Sequence, residues 1–299
     1  MDQRLHRVVI TGATGFVGRH LRPRLPASVT TVSLGPEDWK ARLDAAPLSG
    51  AAVFHLAARA HSTGLEAEFV RDNVEKTRVL AQTALREGAS RLVYLSSVKV
   101  HGEESGARPF EPQDPLDPKD AYARSKSAAE RVLAEVAAQG LPVTIVRAPL
   151  VYGPGARANL AELLRIADSS WPLPFAAFDA RRSFVHVGDL ADALVAAGSR
   201  AEAAGKAYIV AHPYAPSVSE VVTLMRRHLG RPARLWSLPA AAFEALAACA
   251  GQGEKARRLT RPLLADPAAA QRELGWSARV PIGEAIEELV RDRRAGNKP

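Results

Sequence analysis

The feature that most constrains this chain lies at its start. Arg7-Val8-Val9-Ile10 is a short apolar run that reads as a buried strand. It runs directly into Thr11-Gly12-Ala13-Thr14-Gly15-Phe16-Val17-Gly18. The glycines fall at i, i+3 and i+6. Gly12 permits a tight turn, Gly15 lets the backbone approach a phosphate, and Gly18 lets the next helix pack closely on the strand. That helix would point free N–H groups and the positive end of its dipole at a pyrophosphate. Alone, such a triplet also fits a tight turn with no ligand; directly after an N-terminal apolar strand it points to a dinucleotide fold. Pro23 removes one backbone bond and should kink or shorten the helix.

Further along, strand and helix patterns alternate, which predicts an α/β fold with a doubly wound parallel sheet. Val29 to Leu34 reads as the second strand, Phe69 to Arg86 as a helix, and Val143 to Arg147 as a later strand. At 299 residues there is room for one nucleotide-binding domain and a smaller second lobe. The boundaries expected are 1–152 with a return segment at about 183–212, then 153–182 and about 213–299 for the second lobe.

A second motif carries chemistry. Tyr122 and Lys126 lie four residues apart, on one face of a helix that Asp120 can cap. Ala128, Ala129, Val132, Leu133 and Val136 give that helix an apolar stripe. A phenol beside an ammonium has its anion stabilised, so its pKa should fall from about 10 toward neutrality. Such a phenol can take a proton from an alcohol or return one to a ketone. Taken alone, the pair also fits an ordinary amphipathic helix.

Together, Thr-Gly-Ala-Thr-Gly-Phe-Val-Gly, His55-Leu56-Ala57-Ala58, Asn73, Ser96-Ser97 and Tyr122-x-x-x-Lys126 resemble the extended short-chain dehydrogenase/reductases. The nearest branch is the nucleotide-sugar epimerase/reductase group typified by UDP-glucose 4-epimerase. The resemblance runs from Arg7 to about Leu289. It implies that Val53–His55 is the fourth strand and Leu92–Ser97 the fifth. It implies catalytic roles for Ser97, Tyr122 and Lys126: Tyr122 as acid/base, Lys126 holding the nicotinamide ribose, and Ser97 orienting the substrate oxygen. Cofactor contacts are implied for Gly12, Thr14, Gly15, Phe16, Val17, Gly18, Ser33, Leu56, Ala57, Ala58, Asn73, Ser96, Pro149 and Val151, beside Tyr122 and Lys126. For Asn73, helix capping or strand bridging is an equal alternative.

The resemblance also implies substrate contacts. Asn159 and Leu160 match a pair whose amide holds a nucleotide sugar's diphosphate. Pro174 and Phe175 match an apolar stretch beside the pyrimidine. Arg182 matches an arginine that forks onto the diphosphate, a task suited to guanidinium geometry. Arg258 and Arg261 are candidates for a second clamp, and Ser97 and Lys99 border the reacting sugar. The Asp266 to Leu274-Gly275-Trp276 segment matches a C-terminal pattern read mostly as structural.

Departures narrow the chemistry. The family's 4,6-dehydratases place an Asp-Glu pair after the catalytic hydroxyl residue, and its GDP-fucose synthase-style epimerases place a cysteine there. Here Val98 and Lys99 stand in those positions. Hydride transfer at one carbinol carbon remains, and the resemblance implies that it acts at C4 of a UDP-hexose in surface polysaccharide synthesis, in a 4-epimerase or a 4-ketoreductase of the UDP-N-acetylquinovosamine type. Two other readings stay open: a non-catalytic dinucleotide-binding regulator or assembly protein, and a reductase of a non-sugar ketone. The second strand ends in Ser33-Leu34-Gly35 with no carboxylate for a ribose 2′-OH. NAD and NADP therefore both stay open, and Arg19 could meet a 2′-phosphate.

Composition excludes several classes. The net charge of +8 is spread as arginine without a basic tail, so a nucleic-acid partner is not expected. No apolar run reaches about 18 residues, so no membrane span is expected. The single cysteine, Cys249, agrees with a reducing cytoplasm. No Cys/His cluster has metal-ligand spacing. The resemblance implies a homodimer built from the helices at 69–86 and 122–136.

Overall fold

A computed structural model describes residues 5–26, 28–35, 37–60, 65–156 and 159–295, the side chains of Asn159 and Ala161 excepted. Its first strand, β1 (Val8–Thr11), is wholly buried. The chain continues through α1 (Phe16–Leu21), β2 (Val29–Val32), α2 (Trp39–Asp44) and β3 (Ala52–His55). A long helical stretch follows as α3 (Glu66–Phe69), a π-helical turn over Val70–Glu75 and α4 (Lys76–Arg86). Next come β4 (Arg91–Ser97), α5 (Ala121–Ala137), β5 (Val143–Ala148) and β6 (Leu150–Tyr152). The remainder is α6 (Asn159–Ala167), β7 (Phe184–His186), α7 (Val187–Ser199), β8 (Ala207–Ile209) and α8 (Val218–Leu229). It closes with α9 (Ala240–Cys249), α10 (Gly253–Thr260), α11 (Ala268–Leu274) and α12 (Ile282–Arg294).

Six strands form one parallel sheet in the order β2-β1-β3-β4-β5-β8. β1 and β3 are buried on both faces, which is why they read as unbroken apolar runs. One face packs with α1 and α7 around Leu21, Phe54, Leu190 and Leu194. The other packs with α4 and α5 around Leu80, Leu92, Tyr94 and Leu133. This is a Rossmann-type doubly wound fold. The strand order reverses between β1 and β3, so the glycine turn leaves β1 at the switch point where such sheets bind ligands.

Two expectations need correction, and a third holds. The strands at Ala52–His55 and Arg91–Ser97 are the third and fourth, not the fourth and fifth: the described residues between 33 and 51 supply only α2, and β2 is the sheet edge. Pro36, Gly35 and Gly50 interrupt that stretch, and no β-branched run replaces them. The helix expected from Phe69 begins at Glu66 and contains the π-helical turn. Pro23 acts as expected, ending α1 at Leu21 and leaving a 3₁₀ turn over Arg22–Arg24.

After β5 the chain leaves the main sheet. β6 pairs in parallel with β7 in a separate two-stranded sheet. A second core gathers Leu160, Phe175, Phe178, Met225 and Ile286 from α6, α8, α12 and the intervening loops. Ser217 and Glu220 form a reciprocal capping box that starts α8. The segment between α10 and α12 does not stay with this second core. Ala270, Leu274 and Trp276 pack into the first one, and the Trp276 indole donates to the Asp189 carbonyl at 2.8 Å.

Candidate active site

The three glycines divide their work sterically. A Cβ on Gly12 would lie 2.6 Å from the Ala57 nitrogen, and one on Gly18 only 2.1 Å from the Gly12 oxygen. Gly12 also sits at φ +73°, which favours glycine. A Cβ on Gly15 would meet nothing but the Gly12 oxygen at 3.2 Å, so its outer side is open. Two glycines thus make the turn and the third leaves a bare backbone surface, the shape a dinucleotide's phosphates need. Thr14 and Phe16 flank Gly15, and Val17 packs against the first core. Leu56 and Ala57 are half-buried beside the turn, and Ala58 and Ser33 are exposed.

Beneath the turn lies a buried polar chain. The Ala57 N–H donates to Thr11 Oγ1 at 3.4 Å, and Thr11 Oγ1 lies 2.7 Å from His55 Nδ1. His55 Nε2 lies 2.8 Å from Thr77 Oγ1, which donates its own proton to the Asn73 carbonyl at 2.6 Å. Thr77 has only one proton, so it accepts from Nε2–H, and Nδ1 accepts from Thr11. Burial holds the imidazole neutral by lowering its pKa to about 3. The Asn73 amide meanwhile bonds both ways with the Arg59 backbone, at 2.7 and 3.1 Å, and donates to Ser125 Oγ at 2.8 Å. Asn73 therefore ties the loop after β3 to α5, one turn from Tyr122. The π-helical turn is what aims it there.

Asp120 caps α5 as expected, accepting from the Ala123 N–H at 2.7 Å. The helix presents Tyr122 toward Ser97 at the end of β4, and a hydrogen bond from that side lowers the phenol's pKa. Burial and the Asp120 charge act the other way and prevail, lifting it to about 12. The expected fall toward neutrality is thus corrected: desolvation of a phenolate outweighs its local stabilisation. Lys126 is 2% exposed. Its ammonium donates to the Leu95 carbonyl at 2.8 Å and sits 4.5 Å above the Tyr94 ring. Burial lowers its pKa to about 7, with Glu130 opposing.

The two serines part company. Ser96 Oγ donates to Glu130 at 2.5 Å, whereas Ser97 Oγ accepts from the Lys99 N–H and stays at the strand's mouth. Glu130 also forks onto Arg147 at 2.6 and 3.1 Å, both side chains buried. Arg147 in turn reaches the Pro112 carbonyl and His101. Neither Glu130 nor Arg147 belongs to a sequence motif. The available signal was a glutamate on the apolar face of α5, four residues past Lys126.

On the substrate side, Lys99 Nζ pairs with both Asp120 and Glu103, and Glu103 lies 3.7 Å from Arg258. Burial lowers the Arg182 pKa to about 10; nearby Glu103 raises it and Arg258 lowers it. Lys99, Arg182 and Arg258 therefore converge around one carboxylate. Arg261 does not join them: its guanidinium forks onto Glu244 at 3.0 Å twice, and its carbonyl accepts from Arg182. Leu160 and Phe175 are buried in the second core, Pro174 is half-buried, and the Asn159 side chain lies outside the described residues. Pro149 is buried where β5 passes into β6, and Val151 is half-buried.

The parallel sheet and the bare glycine turn at its switch point define a Rossmann-type nucleotide-binding fold. The chain belongs to the NAD dependent epimerase/dehydratase family, whose model matches residues 8–211. Its cofactor is accordingly a nicotinamide dinucleotide, NAD or NADP. The chain is 30% identical to a UDP-glucose 4-epimerase of Vibrio cholerae, over 95% of this chain and 94% of that one. It is 28% identical to a dTDP-glucose 4,6-dehydratase of Streptomyces niveus, over 98% and 95%. Among solved structures it resembles MoeE5 in complex with UDP-glucose and NAD, with 27% identity, a TM-score of 0.75, and coverage of 98% and 100%. Among the described residues no helix is long and apolar enough to cross a membrane, and no His/Cys/Asp/Glu group could hold a metal.

Proposed function

We propose that this protein transfers hydride at C4 of a UDP-hexose, as a 4-epimerase or a 4-ketoreductase serving surface polysaccharide synthesis. The observation that carries the reading is the grouping of Ser97, Tyr122 and Lys126 at the mouth of β4, facing the basic cluster of Lys99, Arg182 and Arg258. Ser97 holds the C4 oxygen and Tyr122 moves its proton. Lys126 steadies the ribose edge of the dinucleotide, which when bound supplies or accepts the hydride. Gly12, Gly15 and Gly18 with Thr14 hold its pyrophosphate, and Leu56, Ala57, Asn73, Pro149 and Val151 form its walls. Arg182 and Arg258 take the substrate diphosphate once it displaces Glu103 from them.

Val98 and Lys99 supply no carboxylate pair beside Ser97, which favours simple C4 chemistry over dehydration. The UDP-glucose named for the Vibrio cholerae relative and for MoeE5 supports a UDP-hexose as substrate. In this reading residues 1–152 and 183–212 carry the dinucleotide, the other segments carry the sugar nucleotide, and the enzyme works in the cytoplasm as a homodimer. The test is turnover of UDP-hexoses and their 4-keto forms with NADH and NADPH, followed by sugar NMR. Conversion of UDP-glucose without added reductant makes it an epimerase, and reduction of a 4-keto sugar makes it a reductase. Activity that survives Tyr122→Phe would refute both.

A further inference from the structure

One surface of the second lobe is built the wrong way round for a water-soluble helix. Helix α9 (Ala-Ala-Ala-Phe-Glu-Ala-Leu-Ala-Ala-Cys) has no buried residue. Its one charged side chain, Glu244, turns inward and is consumed by Thr260 at 2.5 Å and by the fork onto Arg261. What remains outward is apolar: Leu246 is 65% exposed, with exposed alanines on both sides. The strand-like stretch that leads into α9 and the segment beside it bring two more large apolar groups. Trp236 is 48% exposed, and Trp171, on the adjoining segment, is 76% exposed. These two segments are zipped together by backbone bonds between Leu173 and Arg234 and between Trp236 and Leu173.

The rim of this surface is basic. From Met225 to Gly251 the sequence holds four arginines and one carboxylate, the inward-facing Glu244. Arg226 is buried and spends itself on the carbonyls of Ser169, Trp171, Pro232 and Ala233, which fixes the Trp171 loop. Arg227, Arg231 and Arg234 are exposed. Arg231 pairs with Asp168 at 3.2 Å and lines a 440 Å³ hollow with Arg293 and Arg294, in which Asp168 is the one acidic side chain against three arginines.

We propose that this face, formed by α9, Trp171 and Trp236 with its arginine rim, docks the protein on an anionic lipid surface. Indole rings settle at the headgroup level of a bilayer, and an apolar helix face buries just beneath it. Arginines around such a face bind lipid phosphates and strengthen attachment to a charged leaflet. A second copy of this chain fits the face less well. A two-fold interface sets a patch against itself, so the arginine rim would meet the same positive rim. The docking is peripheral and asks for no spanning helix.

The test uses the full chain with phosphatidylglycerol vesicles and with phosphatidylcholine vesicles. We expect flotation with the first and little with the second, reversed by high salt, and a blue shift of tryptophan emission on binding. Trp171→Ser with Trp236→Ser should abolish the blue shift and cut binding at least about tenfold. Arg231→Glu and Arg234→Glu should each cut it by about fivefold or more. All four positions are exposed, so an unchanged thermal unfolding midpoint will show that the fold is intact. Equal binding to both vesicle types, or binding unaffected by the tryptophan pair, overturns the proposal. So does a self-associating chain that the tryptophan pair turns into monomers with no vesicle binding, because the face would then be a protein interface.

Discussion

Replacing Lys126 by methionine should abolish turnover and yet stabilise the fold. The lysine is almost wholly buried and its one hydrogen bond goes to a carbonyl. Burial moves its pKa from 10.5 to about 7. Between those values the unfolded chain holds a proton that the folded chain has shed, so wild-type stability rises with pH there. The slope approaches about 1.4 kcal/mol per pH unit, a gain of about 2–3 kcal/mol from pH 7.5 to 9.5. Below pH 7 the full cost of burying the charge is present, partly offset by Glu130. Few other shifted groups intrude on that window. His55, with its pKa near 3, affects stability only in the acid range, and Tyr122, lifted to about 12, only above pH 10. Methionine keeps the length of the chain and removes the charge; losing the bond to the Leu95 carbonyl costs about 1 kcal/mol. Urea unfolding of both proteins at half-unit pH steps is the assay. Wild type should climb across the window while Lys126→Met stays nearly flat, the two converging near pH 10. Parallel curves would show that the buried ammonium carries no such penalty, and the reasoning would fail.

Other outcomes can be checked alongside. Glu130→Gln or Arg147→Met should each cost about 3–5 kcal/mol in urea unfolding by stranding a buried charge, while Glu130→Leu with Arg147→Met recovers most of the loss. Gly18→Ala places a methyl against the Gly12 carbonyl and the Ala13 backbone. It should weaken NADH binding, read by fluorescence titration, by more than about tenfold, and destabilise the fold by about 1–3 kcal/mol. Arg22 donates to Thr31 on the edge strand at 3.0 Å, whereas Arg19 turns to the Thr14 carbonyl and lies beside Gly155. Arg22→Ala should therefore raise the KM for NADPH and leave that for NADH unchanged in steady-state kinetics.

What could be read from the sequence was local. The glycine turn announces itself because each glycine answers a steric demand within a few residues. The start of α5 was legible for the same reason: Asp120 caps it, and an apolar stripe follows at helical spacing. Partnerships across elements were not. Glu130 and Arg147 lie on a helix and a strand 17 positions apart, and nothing in either neighbourhood names the other. The Tyr122 phenol was misjudged because depth of burial, which dominates its ionisation, is a property of the packed fold. The same limit applied to Arg261, whose partner Glu244 sits on another helix. The strand expected between β2 and Ala52 came from resemblance, while the residues there favour turns.

The C-terminal return of the chain has a consequence for synthesis. The last strand of the main sheet ends at Ile209, yet Leu274 and Trp276 complete the core on one of its faces. A ribosome making this protein releases the dinucleotide turn early, but the platform behind that turn closes only when most of the second lobe has also emerged. Until then the underside of α7, including the Asp189 carbonyl that the Trp276 indole will cover, stands open to water and to chaperones. Truncation ahead of residue 276 should therefore harm the cofactor half of the molecule as much as the substrate half, although the motif that defines it lies more than 250 residues away.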